Sequence, residues 1–383
     1  MNRAATGSAT TPPIRVLCVN DDVEQSSDLP TGALLAGLHR AGIELTVVCG
    51  PAHPHAALLA RAGIPMIDIP IRKNFDPAAV RALRDELARG RYDIVHTFNN
   101  KAISNVLIAA RKLPVKIVAY RGIVGAVGFL DPMSWMRYLN PRIDRIVCVA
   151  EAVRRHFLEM RPAFLAMPPD RPVTIHKGHD LAWYTDEPAD LEAEGIPAGA
   201  FVVCCVANYR PRKGIEVLVA AIEQLPGDMP AHLLLVGRMH ADKLSRRIAA
   251  SPAAARIHRA GFRKDAPALA AASDVFCLPS LRREGLARSL IEAMAYRVPP
   301  IVTSSGGSPE LVIDGESGVV VPAADSRAIA TAIEWLYRDP ALRRRMGDAA
   351  RMRIATAFRH EDTVAKTLAL YASLATGARD FTM

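Results

Sequence analysis

Apolar, strand-like runs alternate with helical segments along most of this 383-residue chain, and this alternation limits the fold more than any other feature. Between the runs, stretches such as GALLAGLHRAG and PAAVRALRDELARG place apolar residues three and four positions apart, which is typical of helices. Several of the runs are apolar on both faces, which favours a parallel sheet covered by helices on both sides. In the first half of the chain we predict strands near residues 14–19, 43–49, 65–69, 92–96, 115–120 and 143–149.

A second series of the same kind begins near residue 200, with the strand-like runs FVVCCVA, HLLLVG, DVFCLPS, PPIVT and GVVVP. The acidic stretch between the two series, DLAWYTDEPADLEAEGIPAG, is interpreted as a linker. We therefore predict an α/β protein with two doubly wound, Rossmann-like domains that face a central cleft. The predicted parts are a disordered tail at 1–13, a first domain at 14–185, a second at 186–360 and a final helix at 361–383. Packing of that helix against the first domain is one option.

The composition limits the classes of partner. The net charge is +9 and the isoelectric point about 9.4, which suits phosphorylated substrates, anionic membranes or nucleic acid. No arginine-rich arm interleaved with aromatic residues occurs, so a nucleic-acid partner is not expected. The six cysteines lie in or beside apolar runs without metal-ligand spacing, so we expect buried thiols in a reducing compartment. The sequence shows neither a signal peptide nor a transmembrane run, which favours a cytoplasmic location, with contact at the inner membrane face as an alternative.

Three motifs follow strands of the second series. In ANYRPRKGIEVLVAA, Arg210, Arg212 and Lys213 stand between a strand and a helix, an arrangement that suits a phosphate or diphosphate. In SLRREGLARSLIEAMA, Glu284 and Glu292 are at most about 12 Å apart along a helix, so they could bind hydroxyl groups in two parts of one ligand. In SSGGSPELVIDGESG, the paired glycines permit close backbone approach. The alternatives are a solvated basic turn, surface glutamates at a helix start, and a plain turn.

The order of these motifs resembles the donor-binding domain of retaining glycosyltransferases of family 4, which have the GT-B fold. The family pattern of a Glu-x7-Glu pair, EAMA, GGxPELV and DGxxG is matched by EGLARSLIEAMAYRVPPIVTSSGGSPELVIDGESG, within residues 200–322. The first half is similar in layout, through RYDIVHTFNNKAIS, IDRIVCVAEAVRRHF and IHKGHD. The resemblance covers about residues 14–375.

The resemblance implies transfer of a sugar from a UDP- or GDP-linked donor to an acceptor hydroxyl in cell-surface glycan, lipopolysaccharide or glycolipid assembly. It also implies retention of the anomeric configuration and no cofactor. Since Asp-x-Asp, the metal signature of the other large glycosyltransferase fold, is missing from the sequence, we expect catalysis without a metal. A sugar-nucleotide epimerase or hydrolase of the same fold, and a non-catalytic nucleotide-sugar-binding subunit, remain as alternatives.

The resemblance also assigns roles to residues. By analogy, Glu284 contacts the hexose, Glu292 the ribose and Lys213 the diphosphate, with Arg210 in place of the usual family arginine. The backbone around Phe262 and Arg263 lies by the base. The other expected donor-side residues are Arg212, Gly237, Gly285, Leu286, Ala287, which replaces a family glycine, and Arg288. The expected acceptor-side residues are His96, Asn99, Asn100, Lys101, Gly122 and Arg121, which stands where the family often has a histidine. A structural role for His96 stays open.

Three other features have competing interpretations. The glycines of GIVGAVG have the wrong spacing for a dinucleotide site. His53 and His55 are expected in a surface loop rather than in a metal site. The segment GAVGFLDPMSWMRYLNPR, with Arg137 and Arg142, is either a helix that covers the first sheet or an apolar and basic patch that faces anionic lipid.

Overall fold

The computed structural model of the chain describes residues 12–20, 29–160, 166–239 and 241–379. It contains two separate parallel sheets, each with helices on both faces. Most of the tail predicted at 1–13 lies outside the described residues. Within the described part of the chain, no helix combines the length and apolar character that a membrane span requires.

The first domain is built on a seven-stranded sheet with the order β3-β2-β1-β4-β5-β6-β7. Its strands are β1 (Arg15–Val19), β2 (Glu44–Val48), β3 (Met66–Ile67), β4 (Ile94–Thr97), β5 (Lys116–Arg121), β6 (Arg145–Cys148) and β7 (Pro172–Thr174). Its helices are α1 (Leu29–Arg40), α2 (Ala56–Arg61), α3 (Pro77–Gly90), α4 (Asn100–Ala109), α5 (Pro132–Trp135) and α6 (Glu151–Leu158). The six strands predicted in this half are confirmed, and the short edge strand β7 is additional. The central strands are apolar because both of their faces are covered, as at Val16 and Leu17, which are fully buried.

The second domain is built on a six-stranded sheet with the order β10-β9-β8-β11-β12-β13. Its strands are β8 (Phe201–Val206), β9 (Ala231–Val236), β10 (Ile257–Gly261), β11 (Val275–Leu278), β12 (Pro300–Thr303) and β13 (Val319–Val321). Its helices are α7 (Ile215–Glu223), α8 (Asp242–Ala249), α9 (Ala266–Ala271), α10 (Arg288–Ala295), α11 (Ser308–Leu311), α12 (Ser326–Arg338) and α13 (Pro340–Ala357). The five predicted strands are present. Strand β10 was not predicted, because this partly exposed edge strand has the polar sequence IHRAG.

The last helix, α14 (His360–Arg379), returns to the first domain. It packs against α1, and its Leu370, Tyr371 and Leu374 enter the same core cluster as Leu35 and Leu38 of that helix. Tyr371 is fully buried. The C-terminal helix thus contributes to the core of the domain in which the chain begins.

The cysteines behave as core residues. All six are buried and free of disulfides. Burial raises the pKa of the Cys18 and Cys205 thiols to about 12, so these thiols stay protonated and unreactive at neutral pH.

The segment 125–142 does not form the covering helix that was one of its two interpretations. Its helical part is α5, four residues long, and Leu130 just before it is 98% exposed. Val127, Tyr138 and Leu139 are buried and hold the two ends of the segment in the first core. The interpretation as a covering helix is therefore wrong.

Candidate active site

Two cavities lie at the carboxyl ends of the two sheets, where ligands bind in open α/β folds. The cavity of the second domain has a volume of about 540 Å³, and that of the first about 500 Å³. Gly122 and Ile123, in the loop after β5, line both cavities. A ligand in one cavity would therefore lie next to a ligand in the other.

Lys213 and Glu284 form a buried ion pair in the second cavity. The lysine Nζ lies 2.8 Å and 3.0 Å from the two carboxylate oxygens, and the side chains are 16% and 8% exposed. Lys213 is positioned by a tight turn between β8 and α7 that ends at Gly214, where φ is 67°. A Cβ at Gly214 would lie 2.0 Å from the Pro279 carbonyl oxygen, so only glycine fits this turn.

The carboxylate of Glu284 keeps limited capacity for a ligand. Its Oε2 accepts hydrogen bonds from Lys213 and from Ser280 Oγ, at 2.7 Å for the serine, and its Oε1 accepts one from Lys213. A carboxylate offers about four lone-pair positions, so Oε1 can accept one further hydrogen bond, as from a sugar hydroxyl. The Lys213 ammonium has three protons and can direct the third to a phosphate oxygen.

Glu292 lies on α10 and lines the same cavity. Its carboxylate is 2.9 Å from Arg288 Nε, one turn earlier on the same helix, and the residue is 9% exposed. Burial raises the pKa of Glu292, and the neighbouring Arg288 only partly offsets that effect. A buried carboxylate with a raised pKa at a cavity wall is typical of a functional rather than a stabilising residue.

Most of the other predicted donor-side residues line the same cavity, namely Arg210, Arg212, Gly237, Phe262, Arg263, Leu286, Ala287 and Arg288. The side chain of Arg263 is held by ion pairs with Glu194 and Asp265. Phe262 is 48% exposed and offers an aromatic surface at the cavity rim. The N-cap residue of α10 is Ala287, which makes no side-chain cap and leaves the first N–H groups of the helix for a ligand.

Gly285 lies at the contact between the domains rather than in the cavity wall. A Cβ at this position would be 2.0 Å from the Gly122 carbonyl oxygen of the first domain. Gly307 makes a similar approach, since its Cβ would lie 2.7 Å from that of Ala150. Gly285 of the SLRREGLARSLIEAMA motif and Gly307 of the SSGGSPELVIDGESG motif therefore bring the backbones of the two domains together beside the cavities.

Glu310 joins the two domains at the same contact. Its carboxylate accepts hydrogen bonds from the backbone N–H groups of Glu151 (2.8 Å) and Ala152 (2.7 Å), at the start of α6, and lies 3.1 Å from His176 Nε2. Burial raises the pKa of Glu310, but the hydrogen bonds from His176 and the two amides outweigh burial and leave it lowered. The carboxylate is thus an ionised cap for a helix of the other domain.

The cavity of the first domain is lined by five of the predicted acceptor-side residues: Asn99, Asn100, Lys101, Arg121 and Gly122. It is also lined by residues that the sequence did not indicate: Asn20, His53, His55, Tyr138 and Lys177. The prediction of a surface loop for the two histidines is wrong, because each is 5% exposed and their rings lie 4.8 Å apart. Among the described residues, no group of three His, Cys, Asp or Glu side chains could hold a metal ion.

His96 does not reach the cavity. The residue is 1% exposed, its Nδ1 lies 2.7 Å from the Tyr371 hydroxyl, and its ring stacks on Phe98 at 4.3 Å. Burial lowers the pKa of His96 to about 3, so the ring is neutral. These contacts place His96 in the core between β4 and α14, which corrects its assignment to the acceptor side.

Arg121 orders the loop shared by the two cavities. Its Nε donates a hydrogen bond to the Ile123 carbonyl oxygen at 3.0 Å, and its Nη2 donates one to that of Gly125. The guanidinium also lies 4.9 Å from the centre of the Tyr138 ring, and the residue is 6% exposed. Arg121 therefore fixes the backbone of this loop.

Two facing Rossmann-like domains, with a cation–carboxylate site at the strand ends of the second, are typical of glycosyltransferases with the GT-B fold. The sequence model of the family described as "Glycosyl transferases group 1" matches residues 186–353, and that of "Glycosyltransferase Family 4" matches residues 31–183. A phosphatidyl-myo-inositol mannosyltransferase of Mycobacterium leprae is 30% identical, over 84% of this chain and 87% of its own length. The chain therefore belongs to the family 4 glycosyltransferases.

Other relatives agree with this assignment, and solved structures have the same fold. A phosphatidyl-myo-inositol mannosyltransferase of Mycolicibacterium smegmatis is 28% identical over 83% of this chain and 84% of its own. The lipopolysaccharide core biosynthesis mannosyltransferase LpcC of Rhizobium leguminosarum is 28% identical over 75% of this chain and 80% of its own length. A glycosyltransferase of Rickettsia africae has the same fold, with a TM-score of 0.78 at 20% identity over 95% and 99% of the two chains. The structure of Anabaena HepE in complex with UDP has a TM-score of 0.76 at 20% identity, over 94% of this chain and 100% of its own.

Proposed function

We propose that this chain transfers a hexose from a nucleoside diphosphate sugar to a hydroxyl of a lipid-linked or lipopolysaccharide-type acceptor, with retention of the anomeric configuration. The observation that carries the proposal is the buried Lys213–Glu284 pair in a cavity that also contains Glu292. GDP-mannose is the first donor to test, because the relatives that match most of the chain are named mannosyltransferases. UDP-sugars are the second.

The polar groups of the second cavity suit the parts of such a donor. Lys213 and Arg210, with the N–H groups at the start of α10, face the space in which a diphosphate would lie. Glu292 would accept hydrogen bonds from the ribose hydroxyls, and the free lone pair of Glu284 would accept one from a hexose hydroxyl. The two glutamates thus bind opposite ends of the donor.

Catalysis would depend on charge. As the bond to the sugar breaks, the diphosphate gains negative charge while the sugar becomes oxocarbenium-like. Lys213 and Arg210 stabilise the diphosphate, and a site that excludes water makes this stabilisation stronger. The diphosphate itself takes the proton of the acceptor hydroxyl on the same face of the sugar, which accounts for retention without a covalent nucleophile. We propose that no metal ion takes part, and activity that disappears on chelation and returns with Mg²⁺ or Mn²⁺ would contradict this.

The acceptor would enter the cavity of the first domain. Polar side chains of Asn99, Asn100 and Lys101 line it, and a hydrogen bond from the Tyr138 hydroxyl to Asn100 Oδ1 at 3.0 Å orients the Asn100 amide, which suits a hydroxyl-rich acceptor. Gly122 and Ile123 are the shared wall, so the acceptor hydroxyl would meet the donor at that loop. We propose that the acceptor is presented at a membrane surface with which the enzyme associates peripherally.

The donor site is tested by thermal unfolding with GDP-, UDP-, ADP- and CMP-sugars. A ligand at 100 times its Kd stabilises the folded protein by about 2.7 kcal/mol, which raises the Tm by a few degrees. The shift should be confined to one base, disappear in Glu292→Ala and Lys213→Ala, and persist in Glu316→Ala, which changes an exposed glutamate of the same domain. If no nucleotide sugar shifts the Tm of the folded protein, the proposal fails.

A further inference from the structure

Segment 123–136 exposes large apolar side chains at the rim of the shared loop. Leu130 is 98% exposed, and Ile123, Trp135 and Met136 are 38%, 40% and 44% exposed. Single exposed apolar residues are ordinary on a protein surface, but four large ones within fourteen residues are a concentration that indicates a binding surface.

The segment is ordered rather than a loose loop. Asp131 caps α5 by accepting hydrogen bonds from Met133 N (3.2 Å) and Ser134 Oγ (2.6 Å). The indole N–H of Trp135 donates to the Phe129 carbonyl oxygen at 2.8 Å, and the two rings lie 5.8 Å apart. Because these hydrogen bonds are internal, the turn presents Leu130 at its apex without an unpaired indole N–H beside it.

Basic side chains from both domains lie beside the segment. Residues 121–137 contain one acidic residue, Asp131, and two basic ones, Arg121 and Arg137. Arg137 lies at the end of the apolar turn, held through its Nε by Ser104 Oγ at 3.0 Å. Arg283 of the second domain adds a further cation, because its side chain lies against Gly125.

We propose that segment 123–136 docks the enzyme on an anionic lipid bilayer. Leu130, Trp135 and Met136 would enter the interfacial region, where tryptophan is favoured, and the surrounding basic side chains would attract the lipid phosphates. A second protein is a poorer fit, because a stable protein interface uses about 20–30 residues on each side and this turn presents only a few.

The proposed docking surface gives the proposed function a location at the bilayer. It rests on that function only in assuming that the acceptor is lipid-linked. Ile123 belongs both to the apolar surface and to the walls of the two cavities. Docking through this segment would therefore open the acceptor cavity toward the bilayer. A lipid-linked acceptor could then reach the transfer site without leaving the membrane.

The test is co-sedimentation of the full chain with phosphatidylcholine vesicles, with and without phosphatidylglycerol. The protein should bind the anionic vesicles and lose that binding at high salt. Leu130→Ser should weaken it about tenfold or more, as expected from the burial free energy of a leucine side chain. Met352→Ser, which changes an exposed methionine on α13 of the second domain, is the matched control and should bind like the wild type.

Three outcomes would overturn the docking surface: no binding to anionic vesicles, equal binding by Leu130→Ser, or a dimer that Leu130→Ser dissociates. The last would assign the segment to a second copy of the chain. None of these measurements needs a donor, so their failure is distinguishable from failure of the proposed function. The thermal shift with nucleotide sugars should be the same in Leu130→Ser as in the wild type.

Discussion

Replacing Glu310 with glutamine should separate domain alignment from donor binding. In the wild type, two backbone amides of α6 and His176 donate to the two oxygens of the Glu310 carboxylate. Glutamine has the same size but offers these three donors only one acceptor oxygen. At least one buried donor loses its partner, which costs about 1–3 kcal/mol. Loss of the negative charge at the start of α6 costs a further 0.3–1 kcal/mol or so. A total near 2 kcal/mol shifts the equilibrium between docked and undocked domains by a factor of about 30.

The expected kinetic result is a fall in kcat/KM of about 10- to 30-fold, with the Kd of the nucleotide sugar within about twofold of the wild type. This separation is expected because Lys213, Glu284 and Glu292 all belong to the second domain, whereas transfer needs both cavities. Steady-state rates give the first quantity and equilibrium titration the second. Glu316→Gln is the matched control, since that glutamate is exposed.

The pH dependence adds an independent check. Because the pKa of Glu310 is lowered in the folded protein, its stabilisation is present above the pKa of an unfolded glutamate and is lost as the pH falls through the folded value. The wild type should therefore lose domain docking in acid, while Glu310→Gln should lack this component. The reasoning is refuted if Glu310→Gln keeps kcat/KM within twofold of the wild type, or weakens donor binding as much as it slows transfer.

Two further predictions concern the donor cavity. Burial raises the pKa of Glu292, so its contribution to stability declines as the pH rises; Glu292→Gln should unfold at the same or a higher temperature at pH 7 while its Kd for the donor rises about tenfold or more. Calorimetry and titration measure the two effects, and a lower Tm would contradict the account. Lys213→Met should cost about 3–5 kcal/mol, because it leaves the Glu284 carboxylate buried without its cation. Urea unfolding should show most of that loss recovered in the Lys213→Met, Glu284→Gln double variant, and simple additivity of the two single effects would oppose a coupled pair.

The fold was predictable because its signal is local. Strands such as β1 and β8 are apolar throughout since helices cover both of their faces, and the donor-side motifs directly follow strands whose carboxyl ends meet at one edge. Edge strand β10 is the exception, because a partly exposed strand needs no apolar run.

Long-range contacts were not predictable in the same way. Glu310 and its partner amides are 158 and 159 residues apart, and His96 lies 275 residues from Tyr371. His53 and His55 belong to a turn with neither helical nor strand periodicity, so their burial against the first cavity depends on packing that the local sequence does not encode.

The most direct test of the central claim is the anomeric configuration of the transferred sugar. Purified enzyme is incubated with the nucleotide sugar that shifts its Tm and with a lipid-linked acceptor, in the presence of a chelator, and the product is examined by NMR. The account predicts a new glycosidic bond with the same configuration as the donor, formed by the wild type and by Glu316→Gln but not by Lys213→Ala. A product of inverted configuration would contradict the account, and so would hydrolysis of the donor without sugar transfer when an acceptor is present.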